Sequence, residues 1–166
     1  TTLTALLFAG DNLGLVHVGD SRAYLLRDGS LSQITKDETL VQALIDEGRL
    51  TPEEAWDHPR RSMVLRALNG RELEPVLELH ESRIGDRYLI CSDGLSDVVR
   101  EEAIAETLRD MPNAQQCVAR LVHLALSADG PDNVTCIVAD ELDRDPGYDI
   151  PLVTGAAGHE GALIRP

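Results

Sequence analysis

The sequence predicts an α+β fold in which antiparallel strands pack with helices, and three observations indicate it. Four short strand-like runs, joined by turn residues, fill residues 1–35. Helical periodicity follows over residues 98–108 and 114–126. On either side of these helices in the sequence, a turn that contains an aspartate borders an apolar strand-like run. The two aspartates are Asp93 and Asp132.

The N-terminal strand-like runs are expected to form one antiparallel meander. The turns between them have typical turn composition, as in Gly10-Asp11-Asn12 and the hairpin sequence Asp28-Gly29. Alternation of Thr and Leu in the first run suits a half-buried strand. The four runs cover residues 1–8, 13–18, 23–27 and 31–35.

Residues 37–70 break the strand pattern and are expected to form a helical insertion. Apolar residues recur at helical spacing from Leu40 to Ile45. Thr51-Pro52-Glu53-Glu54 combines a capping box with a proline at the first helical position. Trp56 is expected to anchor the insertion to a sheet. The insertion has two alternative roles, a cover for the end of a sheet and a lid over a site.

Strands are expected to return in the second half of the chain, together with its clearest helices. The helix over 114–126 has an apolar stripe, which predicts that it packs on the core. From residue 143 onward Pro, Gly and Asp dominate, so 143–166 is interpreted as a linker or tail. The remaining strand candidates cover residues 76–80, 87–91 and 133–138.

Aspartates are predicted to meet at one edge of a sheet. Asp93 follows the strand 87–91, and Asp132 precedes the strand 133–138. If these strands pair antiparallel, both carboxylates lie at the same edge, where they attract Mg²⁺ or Mn²⁺. Asp20 ends an earlier strand and is expected at that edge too. A turn or cap is the simpler explanation for one aspartate beside a glycine, but the two paired turns favour a metal site.

Composition limits the class of protein. The net charge of −14 argues against binding to bare nucleic acid or to an anionic membrane surface. Three cysteines without CxxC spacing are expected to be buried thiols in a reducing compartment. The histidines form no zinc pattern, and no apolar stretch has the length of a membrane span. A cytoplasmic location without direct membrane insertion is therefore predicted.

Three motifs together resemble the metal-dependent protein serine/threonine phosphatases of the type 2C, or PPM, family. The residues that link the first motif to the insertion, 22–35, agree with the family, and residues 1–140 are covered. Bacterial members are the most similar, particularly the actinobacterial phosphatases that oppose membrane-bound kinases. The motifs are Gly19-Asp20-Ser21-Arg22, Ser92-Asp93-Gly94-Leu95-Ser96-Asp97 and Gly130-Pro131-Asp132-Asn133-Val134-Thr135.

The resemblance implies a fold, a reaction and cofactors. The fold is a four-layer α-β-β-α sandwich of two antiparallel sheets flanked by antiparallel helices, with 37–70 as the flap beside the active site. The reaction is hydrolysis of phosphoserine and phosphothreonine in proteins by a metal-activated water. The cofactors are two catalytic Mn²⁺ or Mg²⁺ ions, with a third in bacterial members. The implied partners are phosphorylated proteins, including serine/threonine kinases.

The resemblance also implies roles for individual residues. Asp93 and Asp132 match ligands of the first metal, and Asp20 matches a ligand of the third metal. Asp93 is a candidate for a second ligand of that third metal. Ser62 in the flap lies where the third metal can be contacted. His58 in the flap is a candidate general acid, although a surface or capping role is the alternative. Arg22 is expected to form a structural ion pair rather than a phosphate clamp.

The sequence departs from the family pattern in its N-terminal motifs. It contains no Asp-Gly-Met-Gly-Gly turn, whose aspartate bridges both catalytic metals in the family. We therefore expect residues 1–142 to be the C-terminal two-thirds of a catalytic domain in a longer chain, and the isolated chain to be weakly active or inactive. For the parent chain, a membrane tether through a C-terminal segment, as in some actinobacterial relatives, is left open. The alternatives are a non-catalytic module that binds phosphoproteins or metal, and a fragment that complements a separate N-terminal half.

Overall fold

Two antiparallel sheets form most of the computed structural model, which describes residues 1–128 and 132–143. The first sheet has the order β1-β2-β5, and its strands are β1 (Leu3–Ala9), β2 (Asn12–Val18) and β5 (Val76–Glu81). The second has the order β4-β3-β6-β7, with strands β3 (Arg22–Arg27), β4 (Ser30–Gln33), β6 (Arg87–Cys91) and β7 (Cys136–Asp140). The predicted α+β class with antiparallel sheets is confirmed.

The prediction of a single N-terminal meander is wrong. β1 pairs with β2 in the first sheet, whereas β3 pairs with β4 in the second, so the chain changes sheets after Val18. Gly19 makes this crossover with a φ of +104°, and a side chain there would overlap that of Thr2. Asp20 therefore lies at the crossover between the two sheets.

Two helices cover one face of the second sheet, α4 (Glu101–Asp110) and α5 (Ala114–Ser127). The core between them and the sheet contains Leu89, Leu95, Ile104 and Leu121, all fully buried. The buried stripe predicted for the last helix is confirmed at Leu121, although Leu126 near its end is exposed. The main core therefore lies beneath the two helices.

The other face of the second sheet lies against the first sheet. The rings of Phe8 on β1 and Tyr88 on β6 meet edge to face, with their centroids 5.2 Å apart. The opposite, outer face of the first sheet exposes Leu7, Leu77 and Leu79 to solvent. Of the four layers expected from the resemblance, the described residues thus form two sheets and the helical layer on the second sheet.

The insertion contains two short helices, α1 (Leu40–Asp46) and α2 (Pro52–Trp56), and α2 has the predicted capping box between Thr51 and Glu54. Trp56 was expected to contact a sheet, but the guanidinium of Arg100 lies 3.9 Å from its ring centre instead. The insertion is therefore anchored at the start of α4, because Arg100 is the N-cap residue of that helix.

Several elements and boundaries differ from the sequence predictions. The turn after β6 forms a short helix, α3 (Asp93–Ser96), that no periodicity indicated. The next helix begins at Glu101 rather than at residue 98, and the last strand begins at Cys136 rather than at residue 133. The predicted tail lies outside the described residues from 144 onward. Among the helices within 1–128 and 132–143, none combines the length and apolarity required to cross a bilayer.

Candidate metal centre

Strand register brings the three aspartates to one edge of the second sheet. Cys91 on β6 lies opposite both Arg22 on β3 and Cys136 on β7. Asp20 comes before this row of paired residues on β3, and Asp93 follows it on β6. The antiparallel pairing assumed for β6 and β7 is therefore confirmed. Asp132, which precedes β7, leaves the sheet at the same edge as the other two.

Direct contacts join the turn that carries Asp93 to the turn that carries Asp132. The Ser92 N–H donates to the Thr135 carbonyl at 2.9 Å, and the Thr135 N–H donates to the Ser92 hydroxyl at 3.1 Å. Gly94 lies so close to the Asn133 carbonyl that no side chain fits between them. The two turns therefore hold Asp93 and Asp132 beside each other through their backbones.

Asp93 begins α3 and carries a carboxylate in a negative environment. Its Oδ1 accepts a hydrogen bond from the Gly94 N–H at 2.9 Å. Burial raises the pKa of this carboxyl above its usual value, and the charges of Asp97 and Asp132 raise it further. The shift in pKa therefore reflects mainly burial, with a smaller contribution from the neighbouring carboxylates.

Asp20 has the most strongly perturbed carboxyl of the group. It is 8% exposed, and burial raises its pKa to about 6, with further contributions from the charges of Asp93, Asp37 and Asp97. Its carboxylate accepts no side-chain hydrogen bond within the part of the chain that the structure describes. A buried carboxylate that repels its neighbours is costly for the fold unless a cation binds there.

This donor set fits a hard divalent cation such as Mn²⁺ or Mg²⁺. Carboxylate oxygens are the preferred ligands of these ions, and the charges of neighbouring aspartates contribute, after burial, to the raised pKa values of Asp20 and Asp93. Within 1–128 and 132–143, no group of three or more His, Cys, Asp or Glu side chains is close enough together to hold an ion. Because like charges repel, these carboxylates are expected to converge only around a cation.

The insertion contacts this edge through Ser62. The Ser62 hydroxyl donates to Oδ2 of Asp97 at 3.0 Å, and Nε of Arg61 lies 3.8 Å from the same oxygen. Asp97 is the C-cap residue of α3 and follows Asp93 by one helical turn. Sequence reasoning missed Asp97 as the contact point, although its spacing from Asp93 was a signal.

His58 and Arg22 have different surroundings from the metal-site candidates. Nδ1 of His58 accepts a hydrogen bond from the Arg60 N–H at 3.1 Å, which is a local turn contact outside the cleft described below. The structure therefore does not bring His58 to the carboxylates. Arg22 forms the predicted ion pair, with its Nε 2.9 Å and its terminal nitrogen 2.7 Å from the two carboxylate oxygens of Asp37.

A cleft of about 450 Å³ separates the insertion from α3 and the start of α4. Asp20 and Asp97 line one end, and Trp56 lines the side formed by the insertion. Ser96, which is 2% exposed, also lines the cleft, and its hydroxyl is the one buried side-chain polar atom in the described residues without a hydrogen-bond partner. No pattern in the sequence indicated this cleft, because residues distant in the chain form it.

Comparisons with known proteins show that the chain is similar to serine/threonine phosphatases. No family model matches the sequence. It is 59% identical over 167 aligned residues to the serine/threonine protein phosphatase PstP of Mycobacterium tuberculosis. The alignment covers the whole chain but only 32% of that relative, so the chain spans about a third of its length.

Two solved structures are similar to the chain in both fold and sequence. The phosphatase PstP/Ppp of Mycobacterium tuberculosis is 62% identical with a TM-score of 0.83, and the match covers 85% of this chain and 60% of that one. The catalytic domain of PstP in complex with two manganese ions is 60% identical with a TM-score of 0.80, over 86% of this chain and 59% of that one. The fold and the sequence therefore agree on one family.

Proposed function

Because the chain belongs to the PPM family of serine/threonine phosphatases, we propose that it is part of an enzyme that hydrolyses phosphoserine and phosphothreonine in proteins. The observation that carries the proposal is that Asp20, Asp93 and Asp132 all lie at the same edge of the second sheet, as the register of β3, β6 and β7 requires. Carboxylates that share one edge repel one another, which costs stability unless a cation binds there. They suit the binding of cations that act on a phosphoryl group.

We assign the metal-binding roles to these side chains. Asp93 and Asp132 would hold the first of two catalytic Mn²⁺ or Mg²⁺ ions, and Asp20 together with Asp93 would hold a third ion. When bound, such ions lower the pKa of a coordinated water and neutralise charge on the phosphoryl oxygens. Ser62 is a candidate ligand of the third ion, which is supported by its hydrogen bond to Asp97 beside Asp93.

The proposed substrates and partners are phosphorylated proteins, including serine/threonine kinases. The net charge of −14 supports a protein partner over a nucleic acid, which would be repelled. With such substrates, the protein would act in signal transduction in the cytoplasm of a bacterium. Residues 1–142 would form its part of the catalytic domain, with 37–70 as the flap.

A second candidate is a module that binds phosphoproteins or metal without turnover. One observation favours it, since the described residues contain no group of three ligand side chains close enough to hold an ion. Such a module would bind Mn²⁺ and phosphopeptide but release no phosphate.

Phosphate release from a phosphothreonine peptide in Mn²⁺ separates the two candidates. The assay should use both the 166-residue chain and the protein translated from the complete reading frame that contains it. We expect the latter to release phosphate and its Asp93→Asn variant to lose at least about 100-fold in kcat, since a metal ligand is removed.

The control for this assay is Asp110→Asn, at the exposed end of α4, which should leave the rate unchanged. Mn²⁺ binding without phosphate release in either protein would support the binding module. Full activity of the Asp93→Asn variant would contradict the proposed metal site.

A further inference from the structure

The cleft between the insertion and α4 has more negative than positive side chains. Its lining contains six carboxylates and three guanidinium groups. Two of the guanidinium groups are already paired, Arg22 with Asp37 and Arg61 with Asp97. The third, that of Arg100, lies over the ring of Trp56. The cleft therefore retains a net negative charge after its internal ion pairs are formed.

Three carboxylates at the cleft are available to a ligand. Glu53 belongs to the first turn of α2, and Glu101 and Glu102 form the first turn of α4, so the carboxylates come from both sides of the cleft. All three are exposed, and none forms an ion pair with another described residue. A cationic group that entered between the two helices would be attracted by both sides.

One further feature indicates a ligand rather than a solvated acidic surface. Ser96 is among the residues that line the cleft, and its buried hydroxyl has no hydrogen-bond partner within the described residues, although buried hydroxyls are normally paired. A positively charged hydrogen-bond donor would pair with this hydroxyl and with the surrounding carboxylates. Trp56 lines the same cleft, where the guanidinium carbon of Arg100 lies 3.9 Å from its ring centre.

We propose that this cleft is a specificity subsite for an arginine or lysine side chain near the phosphorylated residue of a substrate protein. The inference rests on the proposed function, because Asp20 lines the same cleft and belongs to the proposed metal centre. The phosphoryl group would bind at the aspartates while the basic side chain enters between α2 and α4. Glu53, Glu101 and Glu102 attract its charge, and Ser96 accepts a hydrogen bond from it.

Fluorescence of Trp56 provides a direct test, because Trp56 is the only tryptophan of the chain and lines the cleft. The probes are capped alanine heptapeptides with a central threonine, each with one flanking position changed to Arg, and matched peptides with Glu or only Ala there. Each set is prepared with and without phosphate on the threonine. We expect an Arg peptide to shift the Trp56 emission and to bind about fivefold more tightly than its Ala counterpart.

Variants identify the groups that are responsible. Glu101→Gln combined with Glu102→Gln should reduce the preference for Arg to less than about twofold, and Glu53→Gln should weaken it independently from the other wall. Glu106→Gln, an exposed change farther along α4, is the matched control and should leave the preference unchanged. Ser96→Ala should weaken binding of the Arg peptide about threefold without loss of stability, because its hydroxyl forms no hydrogen bond in the fold.

The outcomes separate this inference from the proposed function. Equal binding of the Arg, Ala and Glu peptides would overturn the subsite, as would tighter binding of the Glu peptide, which would identify Arg100 as an anion site. Phosphate release without any preference for Arg would support the phosphatase proposal and overturn the subsite. A preference for Arg in the unphosphorylated peptides, without phosphate release by the protein translated from the complete reading frame, would support the subsite and contradict the enzyme.

Discussion

The carbonyl oxygen of Asn133 lies where a side chain on Gly94 would begin. Gly94 follows Asp93 in α3, and Asn133 follows Asp132 in the turn before β7. The distance between the two aspartate-bearing turns is therefore set by a contact between backbones. Glycine at position 94 permits this contact because it has no β-carbon.

Gly94→Ala is expected to destabilise the protein by about 2 kcal/mol, because the added methyl overlaps backbone atoms that have little freedom to move. The turn at Asp132 should shift away from Asp93, so Mn²⁺ affinity should fall as well. Urea unfolding measures the first effect and calorimetric titration the second.

Gly14→Ala is the control, since the nearest atoms to a β-carbon there are 3.7 and 3.8 Å away, in ordinary contact. It should change neither quantity appreciably. If Gly94→Ala behaved like Gly14→Ala, the backbone contact would not determine the geometry of the site.

Local signals predicted the elements better than their arrangement. The capping box at Thr51 and Glu54 depends on neighbours in the chain, so the sequence was sufficient to place α2. The break between the strand-like runs 13–18 and 23–27 was also predicted, but turn residues of the same kind occur in a hairpin and in a crossover between sheets. The meander was therefore predicted where the chain in fact changes sheets.

At the candidate site too, local signals predicted the strands but not the contacts between residues distant in the chain. Pairing of the strands next to Asp93 and Asp132 was expected, and the ladder from Cys91 to Cys136 confirms it. The contact between Ser62 and Asp97 and the unpaired hydroxyl of Ser96 depend on how the insertion packs against α3. Those contacts join residues 35 positions apart for Ser62 and Asp97, so no local pattern encodes them.

Asp20→Asn is expected to stabilise the metal-free protein and to weaken its response to Mn²⁺. The carboxylate of Asp20 is buried and is repelled by Asp93, Asp37 and Asp97, so its removal in EDTA should raise the free energy of unfolding by about 1 kcal/mol. Excess Mn²⁺ should raise the Tm of the wild type more than that of the variant, because binding to the folded state stabilises it.

The control for Asp20→Asn is Asp110→Asn, since Asp110 is exposed at the end of α4. Its response to EDTA and to Mn²⁺ should match that of the wild type. A loss of stability in EDTA on Asp20→Asn would contradict the repulsion inferred among the carboxylates.

Asp86 is expected to contribute stability that depends on pH. The Arg27 guanidinium, 2.6 Å from Oδ2, together with the Arg83 N–H and the Tyr88 hydroxyl, holds the pKa of this buried carboxyl below its usual 3.8. A depressed pKa means that the unfolded state takes up protons first as the pH falls. The contribution is therefore fully present above about pH 4 and is lost below it.

Asp86→Asn tests this relationship by urea unfolding across a pH series. The variant should lose about 3 kcal/mol at pH 7, because Arg27 is left without its counterion, and the difference from wild type should shrink below about pH 4. Asp46→Asn, which removes an exposed ion pair with Lys36, should cause no measurable change. A difference that stayed constant down to the lowest pH would assign the effect of Asp86 to packing instead.

The outer face of the first sheet is expected to make the 166-residue chain self-associate. Leu7, Leu77 and Leu79 on it are 71%, 69% and 74% exposed, and Gly14 on the central strand pairs with both Leu7 and Leu79. Contiguous apolar surface of this kind promotes association, especially beside an edge strand such as β1. Leu77→Lys combined with Leu79→Lys should reduce association in sedimentation experiments and the binding of an apolar dye. Because both side chains are exposed, the free energy of unfolding should change by less than about 0.5 kcal/mol.

Leu15→Lys on the inner face of the same sheet should instead unfold the protein, since Leu15 is 2% exposed. Undiminished association of the double variant would assign self-association to another surface.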